Sequence, residues 1–116
     1  MAQKDISPSL EEVSRTENFT AWKSVEPDEE EMYHIQFGKA TVHFFVEEWE
    51  EFVDFVSEFV DIPLGTTGTW AETDSYLASC DEEEKENIYT LEMPGLMLFF
   101  FEEDWNELLE LFRDLK

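Results

Sequence analysis

The side chains best suited to metal binding, proton transfer or nucleophilic attack are few in this chain: two histidines and one cysteine. His34 and His43 flank a Gly38-Lys39 turn signal with no cysteine near either. That pattern fits polar strand positions facing solvent better than a metal site or a general base. Cys80 has no basic neighbour to lower its pKa and no partner for an intramolecular disulfide, so a buried or half-buried thiol is expected.

Carboxylates pose the opposite problem, with 30 Asp and Glu in 116 residues. Acid and base catalysis needs two carboxyls whose surroundings push their pKa values apart, and a crowd of exposed Glu singles out no such pair. The acidic turns lack the alternating ligands and central glycine of a calcium loop. Gly-rich phosphate loops, nucleophile elbows and zinc spacings are also missing from the sequence. The expectation is a protein with no catalytic residue, no cofactor and no metal.

The charge balance constrains partners more sharply. Thirty acidic against 7 basic side chains leave a formal net charge of −23, which repels nucleic acid and anionic membranes and attracts basic proteins. Hydrophobic residues still make up 42%, with 11 Phe and 4 Trp, too apolar for a disordered polyanion. The longest apolar run, Leu96 to Phe101, is far below the roughly 20 residues that cross a bilayer. Nothing at the N-terminus reads as a signal peptide, and a cytoplasmic location is expected.

The stretches HFFVEEWEEFVDFV at 43 to 56 and FFFEEDWNELLELF at 99 to 112 set the architecture. With Tyr33 placed over Tyr89, the halves align without a gap at an offset of 56: Ile35 on Leu91, Phe45 on Phe101, Trp49 on Trp105, Phe52 on Leu108. One gap upstream extends the match, putting Thr16 to Phe19 over Thr73 to Tyr76. The acidic turns 28 to 31 and 81 to 84 also fall near each other, either as part of the repeat or as two acidic loops of similar composition. A single domain over 1 to 116 is expected, with repeats at about 16 to 61 and 73 to 116 and a linker at about 62 to 70.

Within each repeat the apolar period changes partway. Tyr33, Ile35 and Phe37 alternate with polar residues, Gly38-Lys39 makes a turn, and a β-branched and aromatic run follows from Thr41 to Val46. Tyr89, Leu91 and Met93, then Pro94-Gly95, then Leu96 to Phe101 repeat the hairpin. Trp49, Phe52, Val53 and Val56, like Trp105, Leu108, Leu109 and Phe112, recur at helical spacing behind acidic helix-starting residues. Phe19 to Val25 reads as an added strand, and Ser9-Leu10-Glu11-Glu12 as a capping box opening a short helix.

The expected fold is α+β: internally duplicated strand-strand-helix units forming one antiparallel sheet with two amphipathic helices on one face. Leu96 to Phe101 is apolar on both faces of its strand, so the N-terminal segment or a second subunit must cover one of them, with a homodimer favoured.

Off the apolar stripes, Glu50, Glu51, Asp54 and Glu58 line the first helix and Glu107, Glu110 and Asp114 the second. Carboxylates at those spacings stand about 5 to 6 Å apart, on the scale of phosphates along a polynucleotide strand at roughly 3.4 Å of rise. The expected function is therefore non-enzymatic: an acidic inhibitor occupying the basic, nucleic-acid-binding surface of a partner protein such as a nuclease. Nucleic-acid mimics, inhibitors of restriction or CRISPR nucleases, and immunity proteins against nuclease toxins form this class. Trp22 and Trp70 are the expected exposed anchors. The alternative is a homodimeric interaction module whose acidity serves solubility only.

Overall fold

A computed structural model describes residues 9 to 115, with Ser9 described in its backbone; the remainder of the expected 1 to 116 domain lies outside the described residues. The fold is α+β, with ten elements: β1 Ser9–Arg15, β2 Phe19–Val25, β3 Glu31–Phe37, β4 Ala40–Phe45, α1 Val46–Ser57, β5 Gly68–Glu72, β6 Leu77–Glu83, β7 Glu86–Met93, β8 Leu96–Phe101 and α2 Glu102–Arg113. None of the described helices is long and apolar enough to cross a membrane.

The strands form two antiparallel sheets of four, ordered β1-β2-β3-β4 and β5-β6-β7-β8, where one sheet was expected. Each repeating unit is thus four strands and a helix rather than two strands and a helix. The unit grew because the segment from Ser9 is a strand, correcting the expected capped helix: Leu10 lies opposite Ser24 and Glu12 opposite Trp22. An S-x-x-E pattern is local, and the edge offered by β2 outweighs it. A register shift between Glu12 and Ser14 breaks the alternation that would have marked this strand in sequence.

Register follows the sequence alignment closely. Met32, His34 and Gln36 oppose Phe45, His43 and Thr41; at an offset of 56, Ile88, Thr90 and Glu92 oppose Phe101, Phe99 and Met97. The bulge between Glu12 and Ser14 recurs between Thr69 and Ala71. The Thr16 and Thr73 amides donate to the Phe19 and Tyr76 carbonyls at 2.9 and 2.8 Å. The single gap between repeats falls in the β2-β3 and β6-β7 connections, which differ in length.

One face of each sheet and both helices enclose a common core rich in aromatic rings. Tyr33 stacks on Trp49 at 4.6 Å and Tyr89 on Trp105 at 5.2 Å, the same pair in each half. Phe52 of α1 meets Phe112 of α2 at 5.7 Å, joining the halves through their helices. The joint is also crossed: α1 packs on β5 as well as on β3 and β4, and α2 on β1 and β2 as well as on β7 and β8. Phe19 of the first sheet touches Phe100 of β8 at 6.2 Å, and Tyr76 in the β5-β6 connection touches Phe52 and Phe55 of α1, each at 5.3 Å. Neither half closes its own core.

Candidate functional site

The helix pair carries the acidic surface. In α1, apolar positions three and four apart bury Trp49, Phe52, Phe55 and Val56, which turns Glu50, Glu51 and Asp54 outward, with Glu58 exposed at the C-cap. In α2 the buried set is Trp105, Leu108, Leu109, Leu111 and Phe112, leaving Glu103, Asp104 and Glu110 outward and Asp114 at the C-cap. Part of this acidity starts helices. The Phe45 amide donates to Glu48 Oε1 at 2.9 Å, and Glu102 Oε1 accepts from the Tyr89 hydroxyl at 2.9 Å and from Asn87 Nδ2 at 3.1 Å.

Two open grooves flank the C-terminal end of α2. One, of about 430 Å³, lies between α2 and the β1-β2 turn and is lined by Arg15, Glu17, Glu103, Glu107, Glu110 and Asp114 among others. The other, of about 360 Å³, is formed by Trp49, Glu50, Val53, Asp54 and Leu115, so it joins that end to the acidic face of α1. Among the described residues the ion pairs are Arg15 with Glu12 at 3.5 Å and Lys23 with Glu31 at 3.7 Å, both on the first sheet. No described cation forms an ion pair with a helix carboxylate.

Of the residues singled out from sequence, Glu107 has a structural task. Its carboxylate accepts from Thr16 Oγ1 and the Asn18 amide, each at 2.6 Å, and from Asn18 Nδ2 at 2.8 Å, clamping the β1-β2 turn to α2. Burial alone would raise its pKa, but these three hydrogen bonds outweigh that and hold it below the usual carboxylate value.

Trp70 is corrected from an exposed anchor to a core residue, 6% exposed. It sits at the bulge between Thr69 and Ala71, which turns its ring inward against Phe59, Tyr89 and Trp105. Its Nε1 donates to the Thr66 carbonyl at 2.6 Å. Trp22 is half-buried and points to the sheet face opposite the helices, where it stacks on His34 at 5.0 Å. The acidic helix residues and the two tryptophans therefore do not converge on one surface.

The same outer face holds a polar chain not foreseen from sequence. Ser24 Oγ donates to Glu26 Oε2 at 2.7 Å, which commits its proton, so the His34 Nε2-H must donate to Ser24 Oγ across their 2.8 Å contact. Neutral His34 then accepts at Nδ1 from His43 Nδ1-H at 2.7 Å, which leaves a lone pair on His43 Nε2. Burial pushes the His34 pKa down, His43 pushes it further, and Glu26 opposes both. His34 is buried, against the expectation of a solvent-facing position, while His43 is exposed. The signal was present: His34 stands as far before Gly38 as His43 stands after Lys39, the spacing of a directly opposed pair across a two-residue turn.

Ser24 is 2% exposed and its proton is engaged, so a substrate carbonyl has no access to its oxygen. Cys80 is fully buried, and burial pushes its thiol pKa up, away from the reactive thiolate. No group of three or more His, Cys, Asp or Glu is placed to hold a metal ion among the described residues. Searches against protein-family models, curated proteins and solved structures return no match to this chain.

Proposed function

We propose that this chain is a non-enzymatic binding protein that uses its acidic helix pair to occupy a basic, nucleic-acid-binding surface on a partner protein, and that its architecture arose by internal duplication. The observation that carries the functional reading is the set of carboxylates, without an ion pair among the described residues, held on two helices that share one core. Two sit where they oppose their own helix: Glu58 and Asp114 occupy the C-caps, and the last turn of α1 has no basic residue. Each such placement costs about 0.3 to 1 kcal/mol near a negative dipole end. Charge kept at a cost to stability supports selection for the charge. Complementary fields speed encounter with a cationic cleft and make the affinity fall with salt.

The test is a lysate pull-down at low and high salt, repeated with E50K/E51K/D54K protein. Expected are nucleic-acid enzymes with basic clefts, retained at low salt, released at high salt and lost from the variant while its circular dichroism is unchanged. Partners that bind the charge-reversed protein equally well would refute the proposal. The second reading, a homodimeric module whose acidity serves solubility, draws on the exposed Met97, Phe99 and Phe101 of β8; light scattering showing a dimer would favour it.

A further inference from the structure

The outer face of β8 differs from that of β4 in a way the fold does not require. Their outward positions correspond at the offset of 56, and they read Thr41, His43 and Phe45 in β4 but Met97, Phe99 and Phe101 in β8. The side chains on β8 are 49%, 64% and 59% exposed. Threonine and histidine occupy the first two of these positions in β4, so the shared strand geometry by itself does not call for Met97 and Phe99. Beside them on β7, Ile88 opposes Phe101 and extends the apolar surface.

Strand β8 is also an edge. Among the described residues its only sheet neighbour is β7 and its other side makes no backbone hydrogen bond. Edge strands are ordinarily protected by charge, proline or a bulge within the strand; Leu96–Phe101 has none of these. Acidic groups stand at its margins instead: Glu92 opposite Met97, the Asp81 to Glu86 hairpin beyond Ile88, and Glu102 to Asp104 after Phe101.

From this edge, its apolar face and its acidic margins, we infer that β8 receives an extended strand of another protein, with alternating apolar side chains and Lys or Arg at its ends. Main-chain hydrogen bonds would supply affinity, the Met97, Phe99 and Phe101 surface would select the apolar face, and the acidic margins would fix register. A second copy of this chain would bring its own charge of −23 to the same margins, so charge complementarity favours a basic-flanked strand. The surface shares the first turn of α2 with the acidic helix pair but none of the α1 carboxylates, and the inference stands whether or not α1 enters a basic cleft.

A short peptide of alternating valine and threonine, flanked by lysine pairs, is the probe. Amide exchange and chemical shifts are followed by NMR on the whole chain. Binding should protect the β8 amides that face away from β7. An otherwise identical peptide methylated on alternate amide nitrogens keeps the charge but cannot pair, and it should bind about tenfold more weakly or worse. M97T/F99H protein, which carries the residues β4 already uses, should fold normally and lose at least about tenfold in affinity. E50K/E51K/D54K protein should protect the same amides, which separates this inference from the helix reading. Equal binding of the methylated peptide, no protection of β8, or protection without peptide through self-association would overturn the proposal. So would binding that appears only after removal of residues 1 to 8, because that segment would then be the occupant.

Discussion

At the level of single residues, the His34-His43 contact has a definite proton logic. With both rings neutral, His43 donates and His34 accepts, and one added proton on His43 Nε2 leaves that bond intact. A second proton would set N-H against N-H and break it. Because folding lowers the His34 pKa, the unfolded chain binds more protons below the ordinary imidazole value. The stability contributed by His34 is therefore fully present above about pH 6.5, and it is lost as pH falls through the lowered folded value. Ring-nitrogen NMR should find His34 titrating below the ordinary imidazole value, and His43→Asn should raise the His34 value by removing the neighbour that pushes it down. A His34 that titrates normally would contradict this account. Much at this level was legible in the sequence: Cys80 reads as buried or half-buried and is fully buried, and the helix stripes give the outward carboxylates. The role of Glu107 was not legible, because its partners Thr16 and Asn18 lie in the other half of the chain.

At the level of elements, turns were the most readable feature and one of them is strained. Gly38 at φ 64° and Gly95 at φ 76° hold the β3-β4 and β7-β8 turns, both marked in the sequence by glycine. The β6-β7 hairpin places Glu84 at φ 51° and Lys85 at φ 71° between the paired Glu83 and Glu86. Positive φ at both central residues is the geometry that Asn-Gly fills without penalty. E84N/K85G protein should gain about 1 kcal/mol or more in urea denaturation; an unchanged midpoint would show the turn to be relaxed. The segment from Ser9 to Arg15 misled for a related reason. Its bulge hides the two-residue period, and its strand character comes from β2 and not from its own sequence.

At the level of the whole molecule, the repeat was legible down to strand register, whereas the division into two sheets was not. Sheet continuity depends on which edges meet, and β4 and β8 read like any other strands of their hairpins. The crossed packing carries its own prediction. A fragment of residues 9 to 61, or one of 68 to 115, should show no cooperative unfolding as a monomer. It would expose the faces that α2 or α1 now covers, together with Phe19 or Tyr76. Mixing the two in equal amounts should restore the cooperative transition and the circular dichroism of the intact chain. A single fragment that unfolds cooperatively as a monomer would show that each half completes its own core.

The grip of α2 on the first turn has an implication for exchange between molecules. Ser14 Oγ donates to the Leu111 carbonyl at 2.9 Å, and Glu107 holds Thr16 and Asn18, so the amino-terminal half is recognised by a helix about ninety positions downstream. Nothing in that recognition identifies the helix as belonging to the same polypeptide. Two molecules trading halves would keep each of these contacts and alter only the path from Asp61 to Gly68, beyond the buried Phe59 and Val60, where the Tyr89 hydroxyl accepts from the Gly65 amide at 2.8 Å. A monomer and a pair with traded halves would therefore share the aromatic interior and differ in that short connection.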